Sequence, residues 1–108
     1  MRILESVEIG GRRIGRGHPC YLVAEMSGNH NGDLDRALET IYAAAESGAD
    51  AVKLQTYTPD TMTLDLDRDE FVVPGDGPWG GRSLYDLYEE AHTPWEWHAA
   101  LFEAGRKA

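Results

Sequence analysis

The chain has 108 residues, 42% of them hydrophobic and 27% charged, which is the composition of one small globular domain and not of a disordered polymer. A net charge of -9 offers no surface for wrapping a nucleic acid or coating an anionic membrane, though it leaves room for a local cationic site. One cysteine, Cys20, excludes an intramolecular disulfide framework, and neither a membrane-length apolar run nor a signal peptide's apolar centre occurs, so a cytoplasmic location is expected.

Met1 reads as a natural start. VEIGGRRIGRGHP (Val7 to Pro19) predicts a short hairpin turning at Gly10-Gly11. The apolar run CYLVAE (Cys20 to Glu25) predicts a buried strand, and MSGNHNG after it predicts a turn. Asp33 is placed to cap a helix whose apolar stripe is Leu34, Ala37, Leu38, Ile41, Ala44 and Ala45, with Gly48 as its stop. Ala51 to Gln55 is the next strand. Strand, helix and strand at this spacing make a βαβ unit, hence parallel pairing and a right-handed crossover. The stretch from Thr56 to Arg82 carries repeated Gly and Pro and predicts a long loop, of a length that is commonly functional or disordered. Its acidic part, DLDRDE, reads as solvated surface. SLYDLYEEA predicts a short helix. TPWEWHAALFEAGRKA predicts another, with Thr93 as N-cap, Pro94 at the first helical position and Glu96 completing a capping box. The chain reaches Ala108 with no cap and no following strand, and truncation is expected.

The stretch ADAVKLQ places an ammonium and an amide on a strand that otherwise looks buried, where both are costly. Alternation resolves part of this. Lys53 and Gln55 share a face with Ala51, Glu25 shares one with Val23 and Tyr21, and Val52 and Leu54 point the other way. The polar groups fall late in both strands, and parallel α/β folds build their sites at the C-terminal strand ends. Lys53 and Glu25 are therefore candidate site residues, with a purely structural ion pair as the competing reading.

His30, on the loop after the first strand, reads as a loop organiser more readily than as a ligand, and Asn29 and Asn31 as turn formers. His18 and Cys20 make no metal site by themselves, and His92 and His98 flank a helix start with no evident partner. Trp95, Trp97 and Phe102 read as packing groups. No glycine-rich phosphate loop is present, so any phosphate must be held by side chains such as Lys53.

Two long stretches go further. YLVAEMSGNHNGDLDRALETIYAAAESGADAVKLQTYTPDTMTL resembles the N-terminal part of the sialic acid synthase family, the phosphoenolpyruvate-dependent nonulosonate synthases. YTPDTMTL together with RSLYDLYEEAHTPWEWH is most similar to its pseudaminic acid branch. The resemblance implies an α/β fold, a (β/α)₈ TIM barrel, normally followed by an antifreeze-like domain that reaches across a homodimer. A barrel takes about 250 residues. Residues 1–19 would then be an N-terminal hairpin and residues 20–108 the first part of the barrel. The implied reaction condenses phosphoenolpyruvate with an acetamido sugar, for this branch a diacetamido-trideoxy-altrose, giving pseudaminic acid and phosphate. A divalent metal, Mn or Mg, would polarise the sugar aldehyde from ligands that lie downstream, so no metal ligand is expected among these residues.

Carried over residue by residue, Lys53 matches a phosphoenolpyruvate contact, Gln55 a contact to sugar hydroxyls and Glu25 a catalytic carboxylate near the reacting carbons. Asn29 and His30 match an Asn-His pair that organises the site. The resemblance also implies that Lys53 binds an anion and forms no Schiff base. Two alternatives stand beside this: an N-acetylneuraminate or legionaminate synthase of the same family, and a truncated, non-catalytic barrel fragment. The Thr56–Arg82 loop is expected over the strand ends, selecting the sugar.

Overall fold

Gly10 and Gly11 have φ of 57° and 79°, the left-handed backbone that a two-residue hairpin turn requires. They join β1 (Ser6–Ile9) to β2 (Arg12–Gly15) in an antiparallel pair with Ile9 opposite Arg12. The structure is a computed structural model and describes residues 5–108; Met1 and the start of the 1–19 segment lie outside the described residues. Arg12 ties the hairpin to the rest of the chain. Its guanidinium pairs with Asp50, donates to the Cys20 carbonyl at 3.1 Å and lies 5.3 Å from the centroid of the Tyr21 ring. Asp50 also accepts from the Leu22 N–H at 2.7 Å, and that bond, with Arg12 beside it, holds its carboxyl below the usual range.

The βαβ unit consists of β3 (Val23–Met26), α1 (Leu34–Glu46) and β4 (Ala51–Leu54). The strands pair in parallel, with Glu25 opposite Lys53 and Met26 opposite Leu54. Asp33 caps α1 by accepting from the Arg36 N–H at 3.1 Å, and Gly48, at φ 97°, turns the chain out of the helix. One face of the strand pair packs under helices: Met26 joins Ala37 and Ile41 of α1, and Leu101 and Ala104 of α4 (His98–Lys107), with Val52 and Leu54 against them.

The first strand is shorter and less buried than CYLVAE predicts. Ladder pairing begins where Leu22 meets Asp50 and Ala51, so Cys20 and Tyr21 lie outside the strand, and Met26 is added to it. Val23, on the face of Glu25, is 53% exposed because among the described residues no element covers that face, and Leu22, just before the strand, is 54% exposed. The stretch after β4 is also less of a loop than its Gly and Pro content predicts. It contains α2 (Pro59–Met62) and a 3₁₀ turn at Asp69–Phe71, and it closes on itself where the Val73 N–H donates to the Arg82 carbonyl at 2.9 Å. Ser83 then caps α3 (Leu84–Ala91), accepting from the Asp86 N–H at 3.1 Å.

Thr93 does not cap the last helix. A 3₁₀ turn at Trp95–Trp97 intervenes, α4 starts at His98, and Thr93 is buried with its hydroxyl 3.4 Å from His30 Nε2. No described helix is long and apolar enough to cross a membrane. The described residues hold two two-stranded sheets, the hairpin and the parallel pair, and do not by themselves form a barrel.

Candidate active site at the strand ends

The register that sets Glu25 opposite Lys53 also brings Gln55, just past the end of β4, to the same carboxylate. Glu25 Oε1 accepts from the Gln55 amide at 2.6 Å, and Oε2 accepts from the Lys53 ammonium at 3.4 Å. Both contacts lower the pKa of Glu25, the Gln55 hydrogen bond most, then the hydrogen bond and charge of Lys53. The ion pair is open to solvent, its side chains 63% and 48% exposed. A pair so exposed contributes little to stability, which argues against a purely structural role. An ammonium has three protons to donate. Lys53 makes one such bond among the described residues, leaving two for a ligand.

Asn29 and His30 sit in the 3₁₀ turn Gly28–His30 that follows β3. His30 is fully buried and takes no direct part in the carboxylate cluster. Its Nδ1 accepts from the Gly32 N–H at 3.1 Å, which puts the proton of the neutral ring on Nε2, facing Thr93 Oγ1. The ring packs edge-on against Trp97 at 5.1 Å. Burial first, and then the nearby His92, pushes the pKa of His30 down, so the neutral ring is favoured. His30 thus pins the loop after β3 to the entry of α4.

Beside the cluster lies a cavity of about 390 Å³, lined by Asn29 and Asn31, by Gln55 and Tyr57 just after β4, and by Trp79 and the face of α3. Gln55 belongs to both, lining the cavity while it holds Glu25. Tyr57 is braced edge-on by Tyr88 at 5.6 Å, and burial raises its pKa. Gly28 sets the depth of this corner. A Cβ there would lie 2.9 Å from Ala91 Cβ and 3.0 Å from the Ala91 carbonyl, so only glycine lets the loop touch the end of α3. An apolar groove of about 230 Å³ lies on the helix side of β4; among the described residues Arg106 is the only charged side chain on its lining, and no carboxylate or histidine lines it.

Among the described residues no group of three or more His, Cys, Asp or Glu side chains is placed to hold a metal ion. These residues therefore do not fit a divalent cation by themselves. Two contacts escaped the sequence reading. His98 is partnered after all, its Nε2 2.6 Å from Thr56 Oγ1, and Arg82 bridges Glu90 at 2.6 Å. Neither has a local signature. The lone indole of Trp79 in a Gly- and Pro-rich stretch was the one signal that could have marked the cavity wall.

Residues 40–108 match the sequence model of the NeuB family. The chain belongs to the NeuB family. Similar proteins include the pseudaminic acid synthase of Campylobacter jejuni, 51% identical over 80% of this chain and 25% of that protein. That of Helicobacter pylori is 55% identical over 82% of this chain and 26% of its own length. The N,N'-diacetyllegionaminic acid synthase of Legionella pneumophila is 60% identical, over 40% of this chain and 12% of that one. The crystal structure of the spore coat polysaccharide biosynthesis protein SpsE from Bacillus subtilis superposes with a TM-score of 0.62 at 32% identity, covering 94% of this chain and 25% of that one. The chain spans about a quarter of the length of the pseudaminic relatives it matches.

Proposed function

We propose that the full-length enzyme carrying these residues is a nonulosonate synthase that joins phosphoenolpyruvate to a diacetamido-trideoxy-altrose, giving pseudaminic acid and phosphate. The observation that carries this reading is the Glu25–Lys53–Gln55 cluster at the ends of two parallel strands, in a chain that matches pseudaminic acid synthases over 80–82% of its length. A match of that length runs through much of the Thr56–Arg82 segment, whereas the legionaminic match covers 40% of the chain.

In this reading the two unpaired protons of Lys53 hold an anionic group of phosphoenolpyruvate. Gln55 contacts sugar hydroxyls while keeping Glu25 oriented. Glu25, held ionised by its two donors, accepts a proton or orients the water that adds at the phosphate-bearing carbon. That carbon becomes electron-poor once the enol-ether carbon has bonded to the sugar aldehyde. Water addition then gives a tetrahedral species that expels phosphate. Asn29 and His30 set the loop beside this centre. A (β/α)₈ barrel for the full-length protein, assembly as a homodimer, a cytoplasmic location and a Mn or Mg requirement belong to the same proposal. No step above is assigned to a metal, because the described residues do not supply its ligands.

The test is phosphate release by the full-length enzyme from phosphoenolpyruvate with each candidate amino sugar. The expected result is release with the diacetamido-trideoxy-altrose well above that with N-acetylmannosamine. Release with N-acetylmannosamine alone would move the protein to the neuraminate-forming reading. Release with none of the candidates would overturn the proposal.

A further inference from the structure

Trp79 lies in PGDGPWGGR, where no helix or strand pattern calls for an indole, and it is 48% exposed. It is nevertheless held in place. The Arg82 guanidinium lies 5.7 Å from the ring centroid, and the same group bridges Glu90 of α3 at 2.6 Å. The backbone behind it is tight. The Gly81 N–H donates to the Val73 carbonyl at 2.9 Å, and a Cβ at Gly80 would collide with the Gly75 carbonyl. An exposed indole fixed by a cation–π contact and an ion pair is a prepared surface, because the ordering cost of the side chain is met before any ligand arrives.

The chemistry of the cavity narrows its occupant. Trp79 and Tyr57 offer aromatic surface, which favours C–H groups and methyls. Asn29, Asn31 and Gln55 offer amides, which can donate to and accept from another amide. Among the described residues the only charged side chain on the lining is Glu90, which is already paired with Arg82, so the lining itself presents no cation to an anion. A neutral group with both methyl and amide character fits such a lining better than phosphoenolpyruvate does.

Resting on the synthase reading above, we infer that this cavity is the subsite for an acetamido group of the sugar, with Trp79 as a specificity-determining residue and Arg82 as its positioning residue. Gln55 links the subsite to the reacting centre, since it lines the cavity and holds Glu25. The subsite thus reads the sugar's substituents at a place separate from the anion held by Lys53.

The experiment measures KM for each substrate separately in the full-length enzyme carrying Trp79→Ala, Trp79→Phe, Arg82→Gln or Arg82→Lys. Trp79→Ala is expected to raise KM for the diacetamido sugar roughly three- to tenfold, with kcat and the KM for phosphoenolpyruvate within about twofold of the parent. Trp79→Phe should recover most of the loss. Arg82→Gln should produce a smaller loss of the same kind, with Arg82→Lys partly restoring the parent value through the Glu90 pair. An unchanged sugar KM in Trp79→Ala, or an equal rise in both KM values, overturns the subsite and leaves the synthase reading standing. Absence of phosphate release by the parent enzyme overturns both.

Discussion

Glu25 accepts from Gln55 at 2.6 Å and from Lys53 at 3.4 Å, and the two donors can be separated by titration. Gln55 is the larger cause of the lowered pKa, so Gln55→Leu should raise it toward the ordinary 4.5 while Lys53 still holds it below that value. Carboxyl-carbon NMR of labelled Glu25 checks this, and an unmoved titration would remove Gln55 from its role. The folded carboxyl binds its proton less tightly than the unfolded one. Its contribution to stability is therefore present above 4.5 and is lost as the pH falls through the lowered folded value. His30 titrates in a different window. Its folded pKa is lowered from 6.5, so below 6.5 the unfolded chain takes up a proton that the folded ring declines, and stability falls as the pH drops toward the folded value. Protonation also places a hydrogen on Nδ1, against the Gly32 N–H that it accepts from when neutral. His30→Gln should cost about 1–3 kcal/mol at neutral pH and flatten the change in Tm between pH 7 and pH 5. A slope equal to that of the parent would show that His30 is not the group responsible.

At the scale of elements, the contact between the loop after β3 and the end of α3 decides whether the cavity exists. Gly28→Ala places a methyl 2.9 Å from Ala91 Cβ and 3.0 Å from its carbonyl, and backbone must move to admit it. The expected cost is about 1–3 kcal/mol, read from the denaturant midpoint. Adding Ala91→Gly should restore part of it, because the carbonyl contact remains. An unchanged midpoint in Gly28→Ala would mean that α3 is not seated against this loop. The βαβ unit was legible because its signals are local: the apolar stripe of α1, the Asp33 cap, the Gly48 stop and the alternation that divides Val52 and Leu54 from Lys53 and Gln55. The start of α4 was not. The sequence TPWE has the pattern of a capping box, but the Thr93 hydroxyl lies against His30, a residue 63 positions away. The cluster was legible from strand alternation, but the cavity wall was not, since the Arg82–Glu90 and Tyr57–Tyr88 contacts join segments with no shared period.

On the scale of the whole molecule, one face of the parallel pair is covered by α1 and α4, while the other carries Glu25, Lys53 and an exposed Val23. The net charge of -9 works against an anionic substrate, so a local ammonium has to overcome the field of the chain. Lys53 is therefore the residue on which the synthase reading turns. The most direct test is phosphoenolpyruvate binding by the full-length enzyme carrying Lys53→Met or Lys53→Arg, with borohydride reduction of the parent in the presence of sugar. Lys53→Met should lose about one to two decades in affinity, the worth of one charge-assisted contact, and Lys53→Arg should keep part of it. Borohydride should leave Lys53 unmodified. Undiminished binding by Lys53→Met, or a sugar adduct reduced onto Lys53, would contradict the anion-holding role and point to imine chemistry instead.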